Sequence, residues 1–202
     1  MVILHEISHM WFGNLVTMKW WDDLWLNESF ANMIAYMCMD EAEGLEDIIL
    51  AWSGFLAEQF WGLRTDQVDT SHPIAAKCES TQDAEDIFDG ISYGKGGSWL
   101  HQMIFYFGKE TLKEGLKSYF EKYSFKNTEL KDFVNELATA ATNQGTSPNV
   151  NFMINWADSW LKSAGCAVIE LDYSVKDGKY EFVKVKQTPY NQQNTPDNKL
   201  RL

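Results

Sequence analysis

The sequence predicts a mainly α fold that ends in a short β segment, and three observations predict it. Apolar residues recur at three- and four-residue spacing through most of the chain from Met1 to Ser163, the signature of helices with one buried face. After Gly165 the pattern changes to two runs rich in Val, Ile, Tyr and Phe. Between those runs stands Asp177-Gly178, a pair suited to a tight hairpin turn.

In chain order, Met1 to Phe12 reads as a helix stopped by Gly13-Asn14. A tryptophan-rich link from Leu15 to Asp23 leads to a second helix, Leu24 to Asp40. A third is expected over Leu45 to Gly62, then a loop from Thr65 to Asp86 around Pro73. Further helices are expected at Tyr93 to Phe107, Glu110 to Tyr123, Thr128 to Ala141 and Asn151 to Ser163. Within the first of these, Met103, Ile104, Phe105, Tyr106 and Phe107 read as core, and Lys95 as an exposed helix lysine or a cleft residue. The β runs are Ala167 to Val175 and Tyr180 to Gln187, and the tail beyond Pro189 is polar and expected to be loose. A domain boundary is therefore expected near Gly165, with a β part too short to form a sandwich by itself.

The formal net charge of -12 repels phosphate backbones and anionic lipids, which argues against nucleic acid and acidic membranes as partners. It suits a substrate with a free amino group, although a solvated acidic surface explains it as well. Cys38, Cys78 and Cys166 are odd in number and form no CxxC, so neither a disulfide framework nor a cysteine metal site is expected. A reduced, cytoplasmic setting follows as an expectation. No apolar run is long enough to span a membrane, and Met1 to Leu4 is too short for a signal peptide.

His5-Glu6-Ile7-Ser8-His9 is an H-E-x-x-H motif. On a helix, positions i and i+4 share a face, so both imidazoles can reach one zinc ion. Glu6 lies roughly 100° round the helix, where it can serve a zinc-bound water as general base without being a ligand. Zinc brings that water's pKa towards about 7, and a carboxylate beside it can take the proton as a carbonyl is attacked. A catalytic zinc keeps three protein ligands and one open position. Glu28, on the next helix among Trp25, Leu26 and Phe30, can complete a His/His/Glu set, since a carboxylate in that run needs a partner to be buried. The plainer readings are two ordinary helix histidines and a solvated glutamate. His72, before Pro73, is expected to shape its loop, and His101 to be a packed or surface residue.

His5 to Met18, Trp20-Trp21 and Leu24-Trp25-Leu26-Asn27-Glu28 closely resemble the gluzincin aminopeptidases, the family of aminopeptidase N and the puromycin-sensitive aminopeptidase. Its pattern places eighteen residues between H-E-x-x-H and a glutamate, as here between His9 and Glu28. Ser71-His72-Pro73-Ile74 and Ile87-Phe88-Asp89-Gly90-Ile91-Ser92-Tyr93-Gly94-Lys95-Gly96 resemble two further family segments, Ser-His-Pro and Ile-Ser-Tyr-x-Lys-Gly. The resemblance implies that Tyr93 stabilises the oxyanion of the tetrahedral intermediate, while residue type alone would allow a half-buried aromatic. It also implies that residues 1–165 are the helical, C-terminal half of a thermolysin-like zincin catalytic domain and 166–202 the start of a β-sandwich-like domain. The implied activity is removal of N-terminal residues from peptides, with zinc as cofactor and peptides bearing a free N-terminus as partners. Ser29 stands where the family usually has glycine, a small change expected to be tolerated.

The family's strands and its Gly-x-Met-Glu-Asn segment precede H-E-x-x-H and are not in this sequence. The chain alone is therefore expected to be a poor or inactive aminopeptidase. Two alternatives remain open: a non-catalytic binding remnant, and a leukotriene-type epoxide hydrolase. The second shares the zinc set but carries a second tyrosine close to the first, which is missing here.

Overall fold

The computed structural model describes residues 1–42 and 50–189. Helix α1 (Val2–Ser8) leads to a short strand β1 (Val16–Met18), a single 3-10 turn (Trp21–Asp23) and the long helix α2 (Leu24–Asp40). Helices α3 (Ala51–Thr65) and α4 (Thr81–Asp86) follow, then a π-helical turn (Ile91–Lys95) that runs directly into α5 (Gly96–Phe107). Helix α6 (Lys109–Tyr123), strand β2 (Lys126–Thr128), and helices α7 (Leu130–Asn143) and α8 (Val150–Leu161) complete the helical part. Strands β3 (Ala167–Lys176) and β4 (Lys179–Pro189) close the described chain. The fold is mainly α with a β ending, as the apolar spacing predicts.

Helix α2 is apolar nearly all round, and Trp25, Leu26, Phe30, Ala31, Met33 and Ala35 are all buried. A helix of that kind belongs at the centre of a core. Helices α1, α3 and α5 pack on it, and α6, α7 and α8 extend the same core through Tyr119, Phe133, Leu137 and Met153. Phe12 stacks on Phe30 at 3.9 Å between ring centroids, which fixes the exit of α1 against α2. Strand β1 pairs in parallel with β2, in register Val16 to Lys126 and Met18 to Thr128. That pairing ties the link between α1 and α2 to the far end of the helical part.

Several boundaries differ from the sequence expectation. Helix α1 ends at Ser8, not Phe12. Met10 and Trp11 bond only three residues back, and Asn14, Leu15 and Val16 bond five back, so the helix unwinds before Gly13 turns the chain at φ 128°. Helix α4 sits inside the stretch expected to be loop, started by a capping box between Ser80 and Asp83. The expected third helix appears as α3 from Ala51; positions 45–49 lie outside the described residues, as does the tail beyond 189. The run Met103 to Phe107 is only partly core: Met103 and Phe107 are buried, but Phe105 is 88% exposed, because it lies on the opposite face of α5.

The hairpin turn follows its chemistry. Asp177 and Gly178 have φ of 50° and 74°, and Lys176 pairs with Lys179, which is a two-residue turn of the I′ kind. Its register places Ile169, Leu171 and Tyr173 of β3 on one face with Val183 and Val185 of β4. Glu170 and Lys186 form an ion pair of 2.7 Å on the other face.

Candidate active site

Helices α1 and α2 pack so that His5 and His9 face Glu28. The Nε2 atoms of the two histidines are 3.0 Å apart. Glu28 Oε2 lies 3.3 Å from His5 Nε2 and 3.6 Å from His9 Nε2. His5 and Glu28 are buried and His9 is half-buried. Among the described residues, these three form the cluster whose donor atoms fall within 4.8 Å of one another.

The hydrogen bonds behind the histidines decide what the cluster can hold. His5 Nδ1 is 2.8 Å from Asn32 Oδ1, and His9 Nδ1 is 2.9 Å from the carbonyl oxygen of Phe12. Both partners are acceptors, so each Nδ1 carries the proton and each neutral ring turns a lone pair on Nε2 inwards. When neither Nε2 is protonated, two lone pairs and a carboxylate meet there, an arrangement that calls for a cation. Ligands about 2.0–2.1 Å from a tetrahedral zinc stand about 3.3 Å from one another. The edges of 3.0, 3.3 and 3.6 Å bracket that spacing, so the donor set fits a zinc ion.

A proton and a metal ion would compete for this cluster, because the Glu28 carboxylate favours positive charge on its neighbours. The Glu28 hydrogen bond is the largest effect on His5 and raises its pKa against burial, with Asn32 and the charges of Glu28 and Glu6 assisting. Burial alone would push Glu28 up, but the hydrogen bonds of His5 and Tyr93 and the charges of His9 and His5 outweigh it and hold the carboxyl low. Glu6 is exposed on α1, close enough for its charge to reach both His5 and Tyr93.

Tyr93 sits on the π-helical turn, a rare element that often marks functional positions. Its ring stacks between His5, at 6.3 Å, and Trp61, at 5.9 Å. Burial first, then the charge and hydrogen bond of Glu28, then the charges of Glu6 and Glu58, push the phenol pKa up. The hydroxyl is therefore kept protonated and available as a donor. Backbone contacts fix the turn: a Cβ at Gly62 would stand 2.6 Å from the amide nitrogen of Lys95, and one at Gly94 would strike the carbonyl of Glu58. Ser29, fully buried, donates to the carbonyl of Ser92 at 2.5 Å, so its hydroxyl bridges α2 to the turn.

Other expectations resolve case by case. His72 stands apart from the cluster, bonded to the Pro73 carbonyl at 2.7 Å and to Asp89 at 3.2 Å. His101 is exposed and stacks on Trp52 at 4.9 Å. Lys95 is not an exposed helix lysine: its side chain is 12% exposed and pairs with Asp66 at 2.8 Å. Sequence reasoning missed Asn32, although it stands four residues after Glu28 and so on the same face of α2. It also missed Asp66, and it gave no role to Asp89 within the segment that resembles the family; no local spacing marks either.

The chain matches the Peptidase family M1 domain over residues 1–160. It is 39% identical over 168 residues to aminopeptidase N of Streptomyces lividans, covering 83% of this chain and 19% of that protein. It is 37% identical over 181 residues to aminopeptidase M1 of Arabidopsis thaliana, covering 90% and 19% respectively. A probable aminopeptidase 1 of Saccharolobus solfataricus is 42% identical over 144 residues, covering 69% and 18%. The chain thus spans about a fifth of the length of the relatives it matches. With four-fifths of its length matched by that domain, the chain belongs to peptidase family M1.

Proposed function

We propose that this chain carries the metal-binding and catalytic core of a zinc aminopeptidase that removes N-terminal residues from peptides. The observation that carries the reading is the meeting of two imidazole lone pairs and a carboxylate at 3.0–3.6 Å, with Nδ1 of each histidine already committed to an acceptor. His5, His9 and Glu28 would hold the zinc, which when bound supplies Lewis acidity towards a carbonyl and acidifies water. Asn32 and the Phe12 carbonyl keep the two rings in the tautomer that a ligand needs.

Glu6 is the general base: it is outside the cluster, exposed on α1 with its charge reaching His5 and Tyr93, and would take a proton from the attacking water and return it to the leaving amine. Tyr93, held protonated beside Glu28, donates its O–H to the carbonyl oxygen as negative charge builds there. The exopeptidase direction and the free N-terminus of the substrate rest on the family and on the chain's likeness to aminopeptidases. Residues 1–165 are assigned to the catalytic domain and 166–202 to the start of a β domain.

Metal analysis after dialysis tests this reading. The parent chain and Glu6→Gln should each retain a single zinc, while His9→Ala and Glu28→Ala should lose it. A parent chain that takes up no zinc, or a Glu6→Gln chain that loses it, would reject the assignment.

A further inference from the structure

The segment after α3, Asp66 to Pro73, meets the Tyr93 turn at both of its ends. At the C-terminal end, Lys95 Nζ lies 2.8 Å from Asp66 Oδ2, and the two side chains are 12% and 3% exposed. The other oxygen of Asp66 accepts from the Ser71 hydroxyl at 2.7 Å and from the Gly165 amide at 2.8 Å. At the N-terminal end, Asp89 Oδ1 accepts from the amides of Ile91, at 2.8 Å, and Ser92, at 3.3 Å, and so caps the turn. Asp89 Oδ2 is 3.2 Å from His72 Nε2. Because His72 Nδ1 donates to the Pro73 carbonyl, Nε2 can donate to Asp89 only when the ring is charged. Burial opposes that charge, but Asp89 and the Pro73 carbonyl outweigh burial and the nearby charge of Lys95, and the His72 pKa is raised.

We propose that Asp66 and His72 form a two-point clamp that positions Tyr93, gripping its turn through Lys95 at one end and Asp89 at the other. The inference rests on the oxyanion role given to Tyr93 above. The Ser71–Asp66 bond closes the 66–72 segment on itself and so joins the two grips, while the Ser163 and Gly165 carbonyls, at 3.3 and 3.2 Å from Lys95 Nζ, support the Lys95 end. A buried Lys–Asp pair is no better for stability than well-packed apolar residues, because desolvation offsets its attraction. What the pair adds is a fixed direction and register for a five-residue turn whose π geometry is intrinsically poor. Asp66 and His72 are positioning residues: each acts on the reaction through the phenol.

The test makes His72→Gln and Lys95→Met, each alone and combined with Tyr93→Phe, in a zinc-loaded, catalytically competent protein that carries this chain. Each single change should lower kcat about ten- to a hundredfold with KM within about threefold, the cost of a group displaced by a fraction of an ångström to 1 Å. On top of Tyr93→Phe, either change should cost less than about twofold, because residues acting through one group are not additive. Equal losses in both backgrounds would overturn the clamp. Should Lys95→Met fail to fold, His72→Gln, whose ion pair is part-exposed, carries the test. If the parent and Tyr93→Phe turn over alike, the reading of Tyr93 is what fails, and amide exchange then decides the clamp. Exchange at residues 91–95 should be at least about tenfold faster in His72→Gln while the core helices keep their protection. Unchanged exchange there would overturn it whatever Tyr93 does.

Discussion

Two helices packed face to face hold the His5–His9–Glu28 triangle, whereas the Tyr93 turn beside it is held by residues drawn from several separate stretches of chain. In the triangle, His5 and His9 are one helical turn apart, and Asn32 is one turn from Glu28. Geometry of that kind is set by helix periodicity and by one packing interface. The turn needs Ser29 from α2, Gly62 from α3, Asp66 and His72 from the segment after α3, and its own Asp89 and Lys95. A ligand set with local spacing tolerates change elsewhere in the chain; a donor placed by distant contacts does not. Metal binding should therefore be the more robust property of this site, and turnover the more fragile one.

The sharpest contrast is expected from Glu6→Gln. Loss of the general base should lower turnover by about 10²–10⁴, while the zinc stays, because Glu6 is not in the donor cluster. Tyr93→Phe should follow, with kcat lower by about 10²–10³, the scale for one oxyanion donor, and zinc affinity unchanged. Rate assays run beside metal analysis read both halves. A Tyr93→Phe chain that loses zinc would merge the two regions into one and break the comparison. Asn32→Ala attacks the triangle from behind: without its acceptor the His5 ring is free to turn, and zinc affinity should fall by about 10- to 100-fold. Competition with a chromogenic chelator measures it. Affinity within about twofold of the parent would mean that packing alone orients His5.

The same contrast explains what could be read from the sequence. His5 and His9 were legible because a helix converts spacing into a shared face, Glu28 because a carboxylate among Trp25, Leu26 and Phe30 needs a partner to be buried, and α2 because its apolar run is long. The hairpin was legible in Asp177-Gly178, since few residues accept the positive φ that both positions adopt. Tyr93 was not legible from periodicity; only the resemblance of its segment to a family pointed to it. The partnership of Lys95 with Asp66 joins residues 29 apart, and that of His72 with Asp89 joins residues 17 apart. No local rule pairs them. Strand β2, Lys126-Asn127-Thr128, has a single strand-favouring residue, Thr128, and exists because β1 offers it a partner. The outward turn of Phe105 was missed for a related reason: a continuous apolar run does not say which of its members face the core.

Asp23 offers the smallest effect and the finest test, because it is where distant chain reaches the helix that carries Glu28. It stands immediately before α2, and its carboxylate accepts from the Leu130 amide at 2.9 Å, linking α2 to the start of α7. Burial, the largest effect, pushes its pKa up to about 6 from 3.8; the Leu130 hydrogen bond opposes this, and the charges of Asp22, Glu129 and Asp132 add to it. The folded state therefore binds more protons than the unfolded state between about pH 4 and pH 6. Stability contributed by this group is greatest below that window and is lost as pH rises through it. An asparagine side chain at this position would keep the acceptor for Leu130 without the charge, so Asp23→Asn should be more stable than the parent at pH 7. One pKa unit corresponds to about 1.4 kcal/mol, and solvent screening of this part-exposed group reduces the whole effect to the order of 1 kcal/mol. The advantage should vanish at pH 4, where Asp23 is protonated in the fold. Chemical denaturation of both chains at pH 4 and pH 7 measures the difference. If Asp23→Asn is instead the less stable at pH 7, the ionised carboxylate is what holds α7 to α2, and the triangle depends on long-range charge as much as the Tyr93 turn does.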